Sequence, residues 1–407
     1  MKKPLVSCLP MFLAALFVTA CIYDFNPDLS GEEGFLVVEG DIVLGQTSRF
    51  SIRRSSALDS RTLSEYAAYS NLCVEASDGT RYPEQVFGWE STTVGSGQID
   101  LTGADPSLEY RLVFDCEGRH YASDWSNVVP GSVIDSLSFT INEAGTDLAV
   151  KLSTHSAEAS GYYRWTAVET WEYLSDAYAS HFFAPAGTTY YGVKVERDTI
   201  LPYQNGENLI YCWNSSQRSE LLMGTTETLT EDRLVNHQLY TLNYNDERVS
   251  RVYSVEVSQT RISEEAYRYW EKMQRNSTDI GGLFSPEPSE VRGNVVNVDD
   301  PAEMVLGFVS IVKPVSKRMF IVDSEILFYR DPHRVPLPER EVPQRNEWTD
   351  YFYRGYLPTT VYEPPDPMET TKPGYIELYH WLPARCVDCR MKGGTKNKPD
   401  YWPTPEI

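Results

Sequence analysis

Along most of this chain apolar and polar residues alternate with a period of two and break at short turn-rich stretches, which is the signature of half-buried strands. Phe35–Gly40 is a short apolar run closed by glycine, and in Thr47–Arg53 the apolar Phe50 and Ile52 alternate with Ser51 and Arg53. Asn71–Ala76 ends at a Ser77–Thr80 turn, and Tyr110–Cys116 faces His120-Tyr121 across Glu117-Gly118, a hairpin pattern. Strands this short and this closely spaced predict an immunoglobulin-like or transthyretin-like β-sandwich over residues 35–127. Val128-Val129-Pro130-Gly131 reads as a boundary. Beyond it a second β-rich domain is expected over 132–330, with strands at Val133–Ile141, Asp147–Ser153, Tyr162–Tyr173, Tyr190–Glu196, Leu209–Asn214, Val252–Thr260, Met304–Val312 and Arg318–Val322.

One segment follows a different period. Ser263 stands as N-cap before Glu264 and Glu265, and Ala266, Tyr267, Trp270 and Met273 recur at helical spacing, so a single short helix is expected near 263–275, closed at Gly281-Gly282. From 331 to 407 proline-rich stretches alternate with aromatic pieces such as Asp350-Tyr351-Phe352-Tyr353, which predicts a loop-rich segment packed on the second domain. The fold class expected is therefore mainly all-β, with two sandwich-like domains and one short helix. No repeat of solenoid or propeller period is visible.

The N-terminus has its own logic. Lys2 and Lys3 precede an apolar run, Leu5–Val18, and the small residues Val18-Thr19-Ala20 stand directly before Cys21. At roughly 14 residues that run is too short to span a bilayer, which needs about 20, and the order matches an export signal over residues 1–20. Val-Thr-Ala-Cys resembles a bacterial lipobox, which implies cleavage before Cys21 and acylation of its thiol, anchoring the chain to a lipid bilayer. Residues 21–34 are polar and acidic and read as a tether. No later apolar run approaches 18 residues.

Charge narrows the partners. The chain carries 36 Lys+Arg against 58 Asp+Glu; loss of residues 1–20 removes two lysines and leaves a net charge of −24. Such acidity argues against a nucleic-acid partner and against electrostatic attachment to anionic lipid. Six cysteines follow the export signal; with Cys21 acylated, five remain for disulfides: Cys73, Cys116, Cys212, Cys386 and Cys389. Cys73 and Cys116 lie on predicted strands of one unit and form a candidate bridge. Cys386 and Cys389 form either a local staple or, through one of them, a bridge to Cys212.

Candidate chemistry is sparse. The six histidines are scattered and the CxxC at Cys386–Cys389 has no partner pair, so neither a metal site nor a cofactor is expected. Nucleophile elbows, P-loops and dinucleotide-binding glycine turns are missing. Glu169 and Glu172 are the one carboxylate pair to consider for acid/base work, but residues three apart on a strand point to opposite faces. The surrounding Tyr162, Tyr163, Trp165, Trp171 and Tyr173 read as core before they read as a ligand platform, and Arg164 among them calls for a carboxylate partner.

Several phrases, in order, carry a resemblance: Gly161-Tyr162-Tyr163-Arg164-Trp165, Glu169-Thr170-Trp171-Glu172, Tyr211-Cys212-Trp213, Tyr253-Ser254-Val255, Ala266-Tyr267-Arg268-Tyr269-Trp270, Pro286-Glu287-Pro288, Gly293-Asn294, Cys386-Val387-Asp388-Cys389, Gly393-Gly394 and Lys398-Pro399-Asp400-Tyr401-Trp402. Together they resemble the Bacteroidota lipoproteins grouped as domain of unknown function 4249, over about residues 22–405. The resemblance implies an outer-membrane, surface-exposed lipoprotein that assists capture or import of a ligand through a TonB-dependent receptor, a family with no established catalytic residues. Relatives often carry another cysteine where this chain has Val295–Val298, which leaves the partner of Cys212 open. The function expected is a non-enzymatic accessory or ligand-binding partner in nutrient uptake. The alternatives are a structural or adhesive envelope lipoprotein and a hydrolase acting on glycan or peptide.

Overall fold

The structure is a computed structural model that describes residues 34–403 except 56–65, 86–92, 205–208, 244–245, 279–290, 323–324, 326–336, 365, 372 and 374–376. The export signal, Cys21, the tether and the glycines expected to close the helix lie outside the described residues. The fold is mainly β, as the period-two patterning requires.

The first sandwich packs two antiparallel sheets face to face. One runs Leu36–Glu39, Thr47–Arg54, Ser96–Asp100; the other runs Arg119–Ser123, Tyr110–Cys116, Ala68–Ala76, Arg81–Pro83. Alternation along Tyr110–Cys116 buries Tyr110, Leu112, Phe114 and Cys116 against Leu36, Val38, Phe50 and Ile52 of the facing sheet. The expected hairpin is present: Cys116 pairs with Arg119, and both Glu117 and Gly118 take left-handed φ of 53° and 77°.

This sandwich is completed from far along the chain. Val295–Asn297 adds an antiparallel edge beside Arg119–Ser123, Val305–Leu306 runs parallel to Leu36-Val37, and Ile311–Val312 runs parallel to Ile42–Val43. The strand expected at Met304–Val312 is thus two short pieces, broken at Gly307 with φ of 125°, and they hydrogen-bond to the first unit rather than the second. The Gly293-Asn294 phrase is the clasp. A Cβ on Gly293 would run into the Gly307 carbonyl, and a Cβ on Gly307 into that of Val38. The Asn294 amide donates to Val309 O and accepts from Val309 N, both at 2.8 Å.

The second sandwich faces Val133–Ile141, Asp147–His155 and Arg233–Asn243 against a sheet ordered Tyr211–Gln217, Tyr162–Leu174, Val252–Ile262, Val315–Val322. Tyr163, Trp165 and Ala167 point into its core with Leu148, Val150, Leu152, Val255 and Val257. The helix spans Glu264–Thr278, and Ser263 Oγ accepts from Ala266 N at 3.1 Å as an N-cap should. Its apolar face buries Ala266 and Tyr267 against Ile262 and Val312, bridging the two sandwiches.

Two expectations are corrected. Tyr190–Glu196 is not one strand but a hairpin, Thr189–Tyr190 against Val193–Lys194, because Tyr191 and Gly192 both adopt positive φ. Within the loop-rich 331–407 segment, Tyr356–Val361 pairs with Tyr379–Pro383, flanked by two short helices, Trp348–Tyr353 and Ala384–Val387. Trp348, Tyr379 and Trp381 pack there with Phe183 and Ile200, a core that pattern reading misses because its halves come from separate parts of the chain. Cys73 and Cys116 are free and buried, not bridged. Their strands are neighbours, but Cys73 lies opposite Val113 and Cys116 opposite Tyr69, so the register sets them about 10 Å apart.

Candidate functional site

The residues singled out on strand Tyr162–Leu174 come first. Its central position, with Val252–Ile262 on one side and Tyr211–Gln217 and Leu222–Thr225 on the other, pairs both of its edges, while one face is buried in the sandwich. Glu169 points into the sandwich. It accepts from Arg218 at 3.0 Å, Arg248 at 2.7 Å and Tyr253 OH at 2.5 Å, and Tyr253 OH in turn meets Tyr240 OH at 2.8 Å. Burial first, then the neighbouring Tyr240 and Glu169, drives the Tyr253 phenol far above its ordinary range, so it stays a donor to the carboxylate. Glu172 points to the other face, where Arg251 at 2.9 Å and Trp402 Nε1 at 3.0 Å hold it. The two carboxylates therefore belong to separate networks on opposite faces and do not converge, as their spacing predicts.

The tail explains why Glu172 is buried. Thr395 bridges to Trp213, Tyr401 lies under Arg318 at 3.7 Å, and Trp402 meets Phe320 edge-on, so the Tyr401-Trp402 phrase covers the Glu172 end of the sheet's outer face. Cys212 and Cys389 form a disulfide that ties this tail to the edge strand, and Tyr173 OH donates to Cys389 O at 2.6 Å. Cys386 is free and buried. Extended Asp388 separates the helix carrying Cys386 from the turn carrying Cys389, so the CxxC is not a local staple.

Tyr163 and Trp165 are core residues stacked on each other at 5.8 Å, while Tyr162 and Trp171 are half-buried at the edges of their clusters. Trp165 Nε1 donates to Gln259, whose own amide donates to Ser132 and Thr154. Arg164 finds the carboxylate it needs in Asp41, across the seam in the first sandwich, and lies over the Trp270 ring. These residues are the frame of the second unit and its bolt to the first.

A deep concavity lies beside that bolt. Between the sandwiches a cleft of about 790 Å³ is walled by one face of the helix (Glu265, Arg268, Tyr269, Lys272), the linker 124–130, the return segment 291–294 and Phe308–Ile311. Ligand sites favour such seams between units. Arg268 is committed to Glu227, at 2.7 Å and 2.9 Å. Glu265 and Lys272 have no hydrogen-bond or ion-pair partner among the described residues. Ser310 Oγ is buried in the wall without a hydrogen-bond partner there. A second concavity of about 780 Å³ lies on the outer face of the first sandwich, over Cys73, Val113 and Ala122. Its rim charges satisfy one another, Arg81 and Arg111 with Glu75 and His120 with Asp115.

The sequence does not flag the junction cleft, because its walls come together only through the return of residues 291–312. The one local signal was the helix itself, whose polar residues Glu265, Arg268 and Lys272 share a stripe.

No curated protein matches the chain. A family profile, domain of unknown function 4249, matches residues 22–318, which takes in both sandwiches, the helix and the return segment but not the tail phrases. Over that span the chain belongs to the family described as domain of unknown function 4249.

Proposed function

We propose that this chain is an outer-membrane lipoprotein of the Bacteroidota type, anchored through acylated Cys21 and exposed at the cell surface. There it acts as a non-enzymatic ligand-binding partner of a TonB-dependent receptor in nutrient uptake. The observation that carries the reading is the junction cleft, a seam between two sandwiches walled in part by Glu265 and Lys272, which have no partner among the described residues. The N-terminal pattern supports the anchor: two lysines, a short apolar run and Val-Thr-Ala before Cys21. The strong acidity of the body leaves the acyl chains as its membrane contact. The two carboxylates that a hydrolase would recruit, Glu169 and Glu172, are taken up in separate arginine networks.

Two experiments test this. Palmitate labelling of the parent and of Cys21→Ser should show label and outer-membrane fractionation in the parent only. Pull-down of the labelled protein after mild detergent extraction should retain a large β-barrel receptor. An unlabelled parent, or a parent that never retains a barrel protein, overturns the reading.

A further inference from the structure

The junction cleft is dipolar. Glu265 and Lys272 stand seven residues apart on one helix, so they share a face and are offset by about 10 Å along its axis. Between them Arg268 is neutralised by Glu227, with Glu264 close by at 3.5 Å. That leaves a carboxylate near one end of the helix wall and an ammonium near the other, neither with a partner among the described residues. Asp124 and Arg292 add one charge of each sign to the lining. Trp125, 41 % exposed, and Phe308 supply apolar surface.

A ligand that satisfies all of these groups carries an ammonium, a carboxylate about 10 Å away and an apolar side chain between. An extended chain covers at most about 3.5 Å per residue, so the spacing corresponds to roughly three residues. We propose that the cleft binds short peptides with free termini, the amino end at Glu265 and the carboxyl end at Lys272. This deepens the ligand-binding reading above and rests on it only for where the cleft is used, not for what fits it. An apolar ligand would leave both charges unsatisfied, and a fully anionic one would meet Glu265 and Asp124.

The test uses the purified chain and three probes: Ala-Phe-Ala with free termini, its N-acetyl form and its C-terminal amide. Calorimetry, with Trp125 fluorescence as a second readout, should show saturable binding of the free tripeptide, each blocked form being about ten-fold weaker. Glu265→Gln should lower the free peptide to the level of the N-acetyl form. Lys272→Gln should lower it to the level of the amide. Both substitutions fall on exposed helix positions, and an unchanged melting temperature will show that the fold is intact. Absence of saturable binding, equal affinity for the three probes, or variants that keep full discrimination would each overturn the proposal. Because the assay needs no receptor, failure of receptor pull-down with tripeptide binding intact removes the uptake reading and leaves this one standing.

Discussion

The two sandwiches solve the same packing problem by different means. The first has a core that is apolar almost throughout, built from Leu36, Val38, Phe50, Ile52, Leu112 and Phe114, and it is completed by strands that return only after the helix of the second unit. The second draws its two sheets from one stretch of sequence, with the tail tied on by Cys212–Cys389, and carries ion pairs in its interior, Glu169 with Arg218 and Arg248, and Asp232 with Arg261. The first unit therefore depends on chain return and close backbone contact, and the second on satisfied charge. Buried charge is weak evidence for stability as such, yet removal of one partner from such a network is costly.

That contrast can be broken from either side. The largest effect should come from Glu169→Ala, which strands Arg218 and Arg248 inside the second sandwich: a loss of about 3–5 kcal/mol in denaturant unfolding, with amide exchange rising first in Tyr162–Leu174 and Val252–Ile262. Retained stability there would mean that the network carries no weight. Next is Gly307→Ala, which sets a Cβ against the Val38 carbonyl at a positive φ, at a cost on the order of 3 kcal/mol. Its exchange signature should appear in Leu36–Glu39 and Arg119–Ser123, leaving the second sandwich protected.

Reduction of Cys212–Cys389 should cost about 3 kcal/mol and release the tail from the outer sheet, detectable as new accessibility of Trp402. A native melting curve under reducing conditions would show that the tail holds by packing alone. The smallest effect is a pH dependence. Burial by itself would raise the pKa of Asp232, but donation from Ser156, Thr226 and Tyr163, together with Arg261, outweighs it and holds the carboxyl below its usual range. A depressed carboxylate contributes stability above its unfolded pKa, near 4, and loses it as pH falls through the folded value. Unfolding free energy should thus fall below about pH 4, and the slope should flatten in Asp232→Asn.

Much of this frame was legible in the chain. Tyr162–Leu174 and Val133–Ile141 alternate over long stretches, so their strands follow from period alone, and Ser263 before two glutamates fixes the start of the helix. The opposed faces of Glu169 and Glu172 follow from the same period. What stayed hidden is non-local. Val305–Leu306 and Ile311–Val312 are two-residue parallel pieces with no periodicity to read, and their partners lie at the other end of the chain. The aromatic core around Trp348 and Trp381 escapes notice for the same reason, since Phe183 and Ile200 complete it from a distance. Cysteine pairing could not be read either: adjacency of strands says nothing of register, and register kept Cys73 from Cys116. The junction cleft inherits this invisibility, because it exists only where the returning segment meets the helix.

The claim on which the rest depends is that ligand chemistry sits at this seam and not on the aromatic strand that the sequence brings forward. Hydrogen exchange on the intact chain, with and without the free-termini tripeptide, tests it most directly. Protection confined to residues 124–130, 263–272, 291–294 and 308–311 is the predicted result; protection centred on Tyr162–Leu174, or none at saturating peptide, would contradict it.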